Sequence, residues 1–403
     1  MKSILFCLIL MPSLALASLP HMDLEMTSAE YAALLKTIPK SATADPEIEA
    51  AIKLGQRLSA WIAKVNTGRS AETAIRLTSP ETRRGIPIDK PNIYNPTIVK
   101  TKQAEILNGM PKSMRDVILG SGEVPGTIDL DDETFITHAR LLDRNYQTAA
   151  RYKSLDPYRS GYTQRAAQDV RGYYYLMSNK ITATELRDTS LIPADKVKPI
   201  KEALAGICKN NSSWGNCQKS VENAWKNNTL ADFYSNYING AKKLWDSFFN
   251  IPTYAARSDF NWSGNTLNVV FNTPSIAKFI PYLQDNIEDE YRWKGWNLKM
   301  VFGNYPRGPK LVFESGVVPH VNGLGGDTIT MDSNQPIEEY ESQWTIRHEF
   351  GHVLGLPDCY HEFYDVDLKA YVNYQLDITD LMCSRAGNMK ERIYLELKKA
   401  YEK

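Results

Sequence analysis

Neither sign of charge is in excess in this chain of 403 residues, which has 47 lysines and arginines and 47 aspartates and glutamates. That balance gives no indication of a nucleic-acid partner or of a polybasic membrane patch. Beyond the N-terminal segment, no apolar run approaches the roughly 20 residues that cross a bilayer, so no stable membrane insertion is expected. Hydrophobic residues make up 43% of the chain and charged residues 23%. These proportions are typical of a globular protein, and the length is sufficient for two or more domains.

The N-terminus has the features of an export signal. Lys2 supplies a positive charge, Ile4–Leu16 forms a short apolar segment, and Ala15-Leu16-Ala17 is a cleavage site of the A-x-A type. Residues 1–17 are therefore expected to be removed, which leaves a mature chain that starts at Ser18. The apolar segment is too short to cross a membrane. The sequence predicts an exported protein, either secreted or periplasmic.

Cysteine is scarce, with five in the chain, and Cys7 is expected to be lost with the signal. The remaining number is even, which in an exported protein favours two disulfides. The four cysteines are Cys208, Cys217, Cys359 and Cys383. Three pairings are possible, and the pairs that are close in sequence, Cys208–Cys217 and Cys359–Cys383, are favoured. Metal binding by thiolates is the alternative, which an oxidising compartment disfavours.

A His-Glu-x-x-His pattern begins at His348, and Gly355 and Asp358 follow it. On a helix, residues four apart share one face, so His348 and His352 can bind one metal ion together. Gly355 can adopt a positive φ that ends the helix and turns the chain. That turn could bring Asp358 round as a third ligand. Three protein ligands and an open position are typical of a catalytic zinc site, in which Glu349 could reach a water molecule.

The surroundings of the motif favour a buried helix. Apolar residues recur on the side opposite the histidines, at Ile346, Phe350, Val353 and Leu354. The alternative is an exposed helix whose histidines bind nothing. Three later residues compete with Asp358 for the third ligand position: His361, Glu362 and Asp365. His138 and His320 have no visible partner, and no role in the site is expected of them.

The segment HEFGHVLGLPD resembles the metzincin clan of zinc metallopeptidases. It is most similar in motif to the snapalysin-type secreted bacterial proteases, which have aspartate where most metzincins have a third histidine. The resemblance covers roughly the last third of the chain. It implies one catalytic Zn²⁺, held by His348, His352 and Asp358. It also implies a methionine turn beneath the metal, in which Met382 takes the methionine position. Some metzincins have a tyrosine two residues later, where this chain has Ser384, so no tyrosine ligand is expected from that position.

The favoured Cys359–Cys383 disulfide has a place in this arrangement. It would join the residue after Asp358 to the residue after Met382. The loop of the third ligand and the methionine turn would then be held rigidly together.

Helical spacing of apolar residues dominates residues 18–252. The helices predicted there are Ala29–Leu35, Glu47–Val65, Thr134–Ser154, Thr163–Ser178, Lys196–Ile207, Val221–Trp225 and Leu230–Phe249. The polar stretch Thr253–Asn265 marks the boundary with a second region, residues 265–403. Its predicted strands are Thr266–Asn272, Leu298–Phe302, Leu311–Phe313 and Thr328–Asp332, and its predicted helices are Pro274–Glu290, one from Pro336 into the histidines, and Met389–Tyr401.

The predicted fold class is therefore α+β. A mostly helical N-terminal region is followed by a region that resembles a metzincin catalytic domain, with a twisted sheet, an antiparallel edge strand, the active-site helix, the methionine turn and a C-terminal helix. In that family the edge strand pairs with an extended substrate. The segment around Gly326, Thr328 and Thr330 is predicted to do so here. An ordinary edge strand, guarded by Asp327 and Asp332, is the alternative.

The function that follows from the resemblance is that of an exported zinc-dependent endopeptidase acting on a protein or peptide substrate. Glu349 would be the general base towards a water molecule that the zinc activates. Two alternatives stay open: an exported non-catalytic binding protein with a zincin-like fold, and a zinc hydrolase of cell-wall peptides. The helical region could be a propeptide that is removed or a permanent accessory domain. The sequence predicts no oligomeric state.

Overall fold

The structure is a computed structural model that describes residues 45–70, 72–79, 88, 90–211, 216–314, 316–335, 337 and 339–402. The predicted signal (residues 1–17), the predicted helix Ala29–Leu35, and Pro336 at the predicted helix start lie outside the described residues. Within the described part, no helix is long and apolar enough to cross a membrane.

The protein is of the α+β class and about half helical. Its described α-helices are α1 (Pro46–Asn66), α2 (Pro96–Gly109), α3 (Lys112–Leu119), α4 (Asp132–Leu155), α5 (Arg159–Arg165), α6 (Arg171–Ser178), α7 (Ala194–Asn211), α8 (Cys217–Lys226), α9 (Leu230–Ser247), α10 (Phe279–Leu283), α11 (Tyr340–Val353) and α12 (Glu391–Tyr401). The strands are β1 (Asn92–Tyr94), β2 (Asn261–Ser263), β3 (Thr266–Asn272), β4 (Arg292–Trp293), β5 (Trp296–Gly303), β6 (Lys310–Glu314), β7 (His320–Val321), β8 (Thr328–Asp332), β9 (Tyr360–Asp365) and β10 (Ala370–Gln375).

The two longest helices of the helical region, residues 45–252, begin with aspartate caps. Asp45 accepts hydrogen bonds from the main-chain nitrogens of Glu47 and Ile48 at the start of α1. Asp131 accepts one from the main-chain nitrogen of Thr134, 2.9 Å away, at the start of α4. Such caps satisfy main-chain donors that the first helical turn leaves unpaired. The apolar faces then pack into shared cores. The mostly helical character predicted for this region is observed, but α2 and α3 were not predicted.

Two predicted helices differ from the observed ones. The predicted helix Thr163–Ser178 is interrupted, because the Asp169 carboxylate caps a new helix by accepting from the Arg171 nitrogen, 3.0 Å away. The predicted helix Pro274–Glu290 begins only at Phe279 and then forms a π-helical turn, Gln284–Glu288. There the Asn286 side-chain amide donates to the Tyr282 carbonyl, 2.8 Å away, in competition with an α-helical main-chain bond.

The described strands form three small sheets, ordered β2-β3-β5-β4, β6-β8-β7 and β1-β10-β9. Strands β3 and β5 are parallel, as are β6 and β8, and β7 runs antiparallel to β8. The first two sheets adjoin, because the main-chain nitrogen of Asn272 in β3 donates to the Pro309 carbonyl, 2.7 Å away. The bounds predicted for Thr266–Asn272 and Thr328–Asp332 are those observed.

The predicted edge position of Thr328–Asp332 is wrong. This strand, β8, lies in the middle of its sheet: Thr330 pairs with Val312 of β6 on one side and with His320 of β7 on the other. The pattern of alternation along Thr328–Asp332 could not reveal this, because the strand that covers it has only two residues. Among the described strands of this sheet, the outer antiparallel one is β7.

The helical region and the later region share a sheet and a core. Strand β1 pairs antiparallel with β10, through Asn92 opposite Asn373 and Tyr94 opposite Tyr371. Tyr371 is fully buried and packs in one cluster with Tyr146 of α4 and Tyr162 of α5. The hairpin β9–β10, which follows Asp358 in the chain, is therefore built against the helical region.

Candidate metal centre

Helix α11 carries both histidines in the interior of the protein. The exposed fractions of His348, Glu349 and His352 are 3%, 3% and 1%. The opposite face packs into the core through the four apolar residues that the spacing predicted: Ile346, Phe350, Val353 and Leu354. An exposed helix with idle histidines is therefore excluded.

The start of α11 is tied to the helical region. Glu339 precedes the helix, and its carboxylate accepts hydrogen bonds from the main-chain nitrogens of Leu77 and Thr78, 2.6 Å and 3.3 Å away. It does not cap its own helix. Burial raises the pKa of Glu339, and the hydrogen bonds from Leu77 and Thr78 oppose that effect.

Gly355 ends α11 as predicted, with a φ of +83°. The Gly355 nitrogen donates to the His352 carbonyl and the Leu356 nitrogen to the Gly351 carbonyl, each at 2.9 Å. This pair of bonds is a Schellman motif, which satisfies the last carbonyls of the helix and turns the chain back. A side chain at Gly355 would also collide with the carbonyl oxygen of Ala255, 2.7 Å from the position of a Cβ atom. The turn delivers Asp358 to the histidines.

His348, His352 and Asp358 converge on one point. The Asp358 Oδ1 atom lies 3.0 Å from Nε2 of His348 and 3.3 Å from Nε2 of His352. Asp358 is 1% exposed. The three side chains form a buried group that could hold a metal ion. Ligand atoms at about 2.0–2.1 Å from a tetrahedral zinc would lie about 3.3 Å from one another, so the donor set fits zinc in type and spacing.

Main-chain carbonyls fix the orientation of both imidazoles. The Nδ1 atom of His348 lies 2.8 Å from the Leu381 carbonyl oxygen, and that of His352 lies 2.8 Å from the Leu356 carbonyl oxygen. Because a carbonyl oxygen only accepts, each Nδ1 must carry a proton. The Nε2 atoms then face each other and Asp358 as the ligand nitrogens, in the way that outer partners orient metal-binding histidines.

The charge of the centre alters the pKa of His352. Burial by itself would lower that pKa, since it disfavours the charged imidazolium. The Asp358 carboxylate, through its charge and its hydrogen bond, and the charge of Glu349 outweigh burial and raise the pKa of His352 to about 9. In the metal-free protein His352 therefore holds a proton at neutral pH. A metal ion that binds the same nitrogen displaces that proton.

Met382 packs against α11 between the two histidines. It is fully buried, and a side chain at Gly351, between the two histidines, would collide with its Sδ atom, 2.2 Å from the position of a Cβ atom. The turn that places Met382 is closed by Asp380, whose Oδ1 atom accepts from the Met382 nitrogen, 2.9 Å away. Arg392 of α12 donates twice to the other carboxylate oxygen of Asp380, at 2.9 Å and 2.7 Å. The predicted methionine thus lies under the helix at the metal site.

The two disulfides are those predicted. Cys208 pairs with Cys217, between α7 and α8, and Cys359 pairs with Cys383. The second pair joins the residue after Asp358 to the residue after Met382, and the Cys359 nitrogen also donates to the Met382 carbonyl, 3.1 Å away. The ligand loop and the methionine turn are therefore linked by both a covalent bond and a hydrogen bond. Since both cysteines are oxidised, they are not thiolate ligands.

The competing third ligands point elsewhere. The Nε2 atom of His361 lies 2.9 Å from the Arg165 carbonyl oxygen, and Glu362 forms an ion pair with Arg151. Asp365 accepts from the main chain of its own turn. His138 lies on α4, and His320 lies on β7 with its Nδ1 atom 2.9 Å from the Val318 carbonyl oxygen. Neither of them belongs to the metal-binding group.

A cavity of about 580 Å³ opens beside the centre. His348, Glu349 and Tyr360 line it from the later region, and residues of α4 such as Gln147 and Arg151 line it from the helical region. Glu349 therefore lines, together with the candidate ligand His348, a space large enough for a small ligand or part of a chain.

Two residues at the centre were not predicted from the sequence. The Tyr360 ring stacks on His348 with centroids 6.5 Å apart. Burial, followed by the negative charge of Asp358, raises the pKa of Tyr360 far above its ordinary value, so the hydroxyl keeps its proton. Arg151 lies beside Tyr360 but 209 residues earlier in the chain. The position of Tyr360, two residues after Asp358, was a usable signal; Arg151 gave none.

Comparisons of the chain with protein-family models, with curated proteins and with solved structures give no match. What the structure establishes is thus a buried His348–His352–Asp358 triad that could hold a metal ion. Two disulfides, which are typical of oxidising compartments, are consistent with a protein that folds outside the cytoplasm.

Proposed function

We propose that this protein is an exported zinc-dependent endopeptidase of the metzincin type. The observation that carries the proposal is the convergence of three buried ligand side chains on one point, with each imidazole fixed by a main-chain carbonyl and with Glu349 beside them at a cavity. Three protein ligands that leave one position open are typical of catalytic zinc sites. The predicted export signal and the two disulfides support a location outside the cytoplasm.

Two imidazole nitrogens and one carboxylate oxygen form a donor set that suits zinc. When bound, the ion would supply the Lewis acidity that activates a water molecule and polarises the scissile carbonyl. Asp358 in place of a third histidine adds one negative charge to the ligand shell, which makes the ion somewhat less electrophilic.

Glu349 is the general base in this proposal. It follows the first ligand directly, is 3% exposed and lines the cavity with His348. From there its carboxylate accepts a proton from the attacking water and passes it to the leaving amine. The peptide bond breaks as the carbonyl carbon gains the water oxygen. The amine leaves with the transferred proton.

The cavity is large enough for a small ligand or a short segment of a peptide. A volume of about 580 Å³ lies within the range of about 300–1,000 Å³ that is usual for ligand sites. Its walls come from both regions of the protein, so the helical region contributes to what the site accepts. A hydrolase of cell-wall peptides would use the same centre on a different peptide.

The test compares the full mature chain with Glu349→Ala, with zinc supplied to both. Casein, a diverse peptide mixture and cross-linked cell-wall peptides are the substrates, and bound zinc is measured in each protein. Glu391→Ala is the matched control, since Glu391 is an exposed glutamate of α12 that forms a surface ion pair with Lys294. The parent and the control are expected to cleave casein or the peptide mixture, whereas Glu349→Ala binds zinc but does not.

Other outcomes separate the alternatives. Cleavage of cell-wall peptides alone would identify the narrower hydrolase. A parent that binds zinc and cleaves nothing would favour the non-catalytic binding protein. Equal hydrolysis by the parent and Glu349→Ala would reveal a contaminant and contradict the proposed base.

A further inference from the structure

All three arginines of helix α4 line the cavity beside the candidate metal centre. They are Arg140, Arg144 and Arg151, which are four and seven residues apart and therefore lie on the same side of the helix. His348 and Glu349 line the same cavity from the later region. One face of α4 and the candidate centre thus border a single space.

The part of the cavity wall that comes from the helical region is positively charged. Lys102 of α2 lines the cavity with the three arginines, and no aspartate or glutamate of that region is among the described residues that do so. The chain as a whole has equal numbers of positive and negative side chains, 47 of each. The excess of one sign is therefore a property of this wall and not of the composition.

Three of these four cations have no carboxylate partner among the residues that the structure describes. Arg151 is neutralised by Glu362, since its Nη2 atom lies 2.5 Å from a carboxylate oxygen of that residue. Arg140 donates from Nε to the Leu77 carbonyl oxygen, 2.5 Å away, which fixes the side chain but leaves its charge unbalanced. Arg144 and Lys102 are exposed to the solvent. We call Lys102, Arg140 and Arg144 the cationic wall.

Carboxylates on the opposite side of the cavity do not balance the cationic wall. Glu341 lies 3.6 Å from Arg385, which neutralises it. Asp332 is buried and accepts hydrogen bonds from the Tyr146 hydroxyl and from the Gly316 main-chain nitrogen. Glu349 is the proposed general base. The cationic wall is thus free to attract an anion that enters the cavity.

The cationic wall does not stabilise its own helix. Arg140 and Arg144 are four residues apart on α4, and like charges at that spacing repel each other and destabilise a helix. A negatively charged group in the cavity would offset this repulsion. Such an arrangement is expected at a binding surface rather than in a segment that only packs.

We propose that the cationic wall determines substrate specificity, and that the protein selects peptides with aspartate or glutamate side chains near the bond to be cleaved. The carboxylates of the peptide bind Arg144 and Lys102, and the charge of Arg140 adds to the attraction. Complementary charge of this kind raises the rate of encounter and rejects substrates of the opposite sign. The inference rests on the proposed function for the cleavage step, but not for the binding of the peptide.

The first experiment compares three peptide pools that share a random core and differ only in flanking Glu, Gln or Lys residues, with both ends blocked. The full mature chain with zinc is used, and kcat/KM is measured by fluorescence on cleavage. We expect the Glu pool to be cleaved about 10-fold better than the Gln pool, which is the typical contribution of one hydrogen bond between charged groups, and the Lys pool to be cleaved worst. The preference should shrink as salt is added, because exposed charges are screened. Equal values for the three pools would overturn the proposal.

The second experiment assigns the preference to the cationic wall. Lys102→Gln with Arg144→Gln removes two charges from α2 and α4, and both side chains are exposed, so the fold should tolerate the change. Lys100→Gln with Lys153→Gln is the matched control, since it removes two charges from the same helices. Lys100 and Lys153 do not line the cavity and pair with Glu47 and Glu49, 2.5 Å and 2.7 Å away.

The first double variant is expected to lose most of the preference for the Glu pool, and the control should keep it. Lys102→Glu with Arg144→Glu should reverse the preference in favour of the Lys pool. A preference that persists in these variants, or that is lost equally in the control, would overturn the role of the cationic wall.

Binding separates this inference from the proposed function. The affinity of the same pools, labelled with a fluorophore, is measured by anisotropy with Glu349→Ala and with the parent. We expect the Glu pool to bind most tightly, and Lys102→Gln with Arg144→Gln to abolish the difference. A parent that binds the Glu pool best but cleaves no pool contradicts only the proposed function. Cleavage or binding of all pools alike contradicts only the specificity.

Discussion

Buried polar side chains are distributed very unequally between the two regions of this protein. In the described part of the helical region only three polar or charged residues are buried, against sixteen after Pro252. The helical region buries the apolar faces of its helices and keeps its polar groups at caps and on the surface. The later region buries histidines, carboxylates and a network that holds them.

The buried side chains of the helical region mainly contribute to stability, whereas those of the later region also include the side chains of the candidate site. A buried polar group costs free energy unless it is fully hydrogen-bonded or binds an ion. Burial of many polar groups around one point is therefore typical of a binding or catalytic site. The helical region follows the rule for packing, and its exceptions, Asp143 and Asn145 among them, lie on α4, the helix that faces the site.

The largest expected effect is on zinc affinity, and it is tested by replacing one histidine in each region with alanine. His348→Ala should lower zinc affinity by at least about a thousandfold, beyond the 10- to 100-fold loss of an outer partner, because it removes a ligand. His138→Ala on α4 should leave zinc affinity unchanged, since His138 is not part of the metal-binding group. Both are measured by competition with a chelator. Similar losses in the two variants would place the metal elsewhere.

The two disulfides allow the same chemical change in both regions. Their cysteines are 9 and 24 residues apart, so chain entropy predicts a similar loss of about 3 kcal/mol in the free energy of unfolding for each pair of Cys→Ala changes. Only the Cys359–Cys383 pair links the loop of Asp358 to the methionine turn. Its removal alone should also weaken zinc binding, by about 10-fold or more. Urea unfolding and chelator competition measure the two effects. Unchanged zinc affinity without Cys359–Cys383 would refute a role in holding the site.

A third prediction concerns pH at the contact between the regions. Burial, and then the negative charge of Glu341, raises the pKa of Asp143 to about 7, although Gln335 and Gln147 donate hydrogen bonds to it. An unfolded chain ionises this group near pH 3.9. Between about pH 4 and 7 the folded state therefore holds a proton that the unfolded state has lost, so the free energy of unfolding falls as pH rises and levels off above 7.

The side chain at this position cannot ionise in Asp143→Asn, so the free energy of unfolding of the variant should not show this fall between about pH 4 and 7. Relative to the parent, the variant is expected to gain about 3 to 4 kcal/mol in unfolding free energy between pH 4 and pH 8, measured by urea unfolding of the metal-free protein. Asp129→Asn, an exposed aspartate of the same region, should follow the parent. A parallel course for all three proteins would show that Asp143 ionises normally in the folded state.

The smallest effects should come from two glycines. A side chain at Gly172 in α6 would meet the Ala203 carbonyl oxygen, 2.5 Å from the position of a Cβ atom, and main chain moves only with difficulty. Gly172→Ala is expected to cost about 2 kcal/mol of stability with no change in zinc affinity. At Gly351 the nearest atom belongs to Met382, whose flexible side chain can shift. Gly351→Ala should cost about 1 kcal/mol but weaken zinc binding severalfold. The reverse assignment of the two effects would contradict the role given to Met382.

Much of the candidate site could be predicted from one short stretch of the sequence. The spacing of His348 and His352 and the turn at Gly355 are local, and local rules of helix geometry apply to them directly. Most helices of the first region were also predicted, because their apolar periodicity is local, but α2 and α3 were not. The choice of Asp358 over His361, Glu362 and Asp365 came from the resemblance, and Asp358 is the one that lies with the two histidines.

Long-range pairing accounts for what could not be predicted. Arg151 and Glu362 lie 211 residues apart, and no pattern in the chain couples them. Thr328–Asp332 has the alternation of an edge strand, but two residues at His320–Val321 cover its open side. In these two cases a contact from a distant or short segment overrides a local preference. The π-helical turn in the predicted Pro274–Glu290 helix is a local departure, where the Asn286 amide donates to the Tyr282 carbonyl four residues earlier.

The imidazoles of His348 and His352 are held by the carbonyls of Leu381 and Leu356, which are atoms of the main chain. Every amino acid has a main-chain carbonyl, so a substitution at either leucine keeps the atom that accepts the hydrogen bond. During evolution the orientation of the ligands is thus protected against most point mutations in its vicinity. Drift could abolish metal binding by replacing a ligand or by displacing a turn, while the leucine side chains remain free to vary.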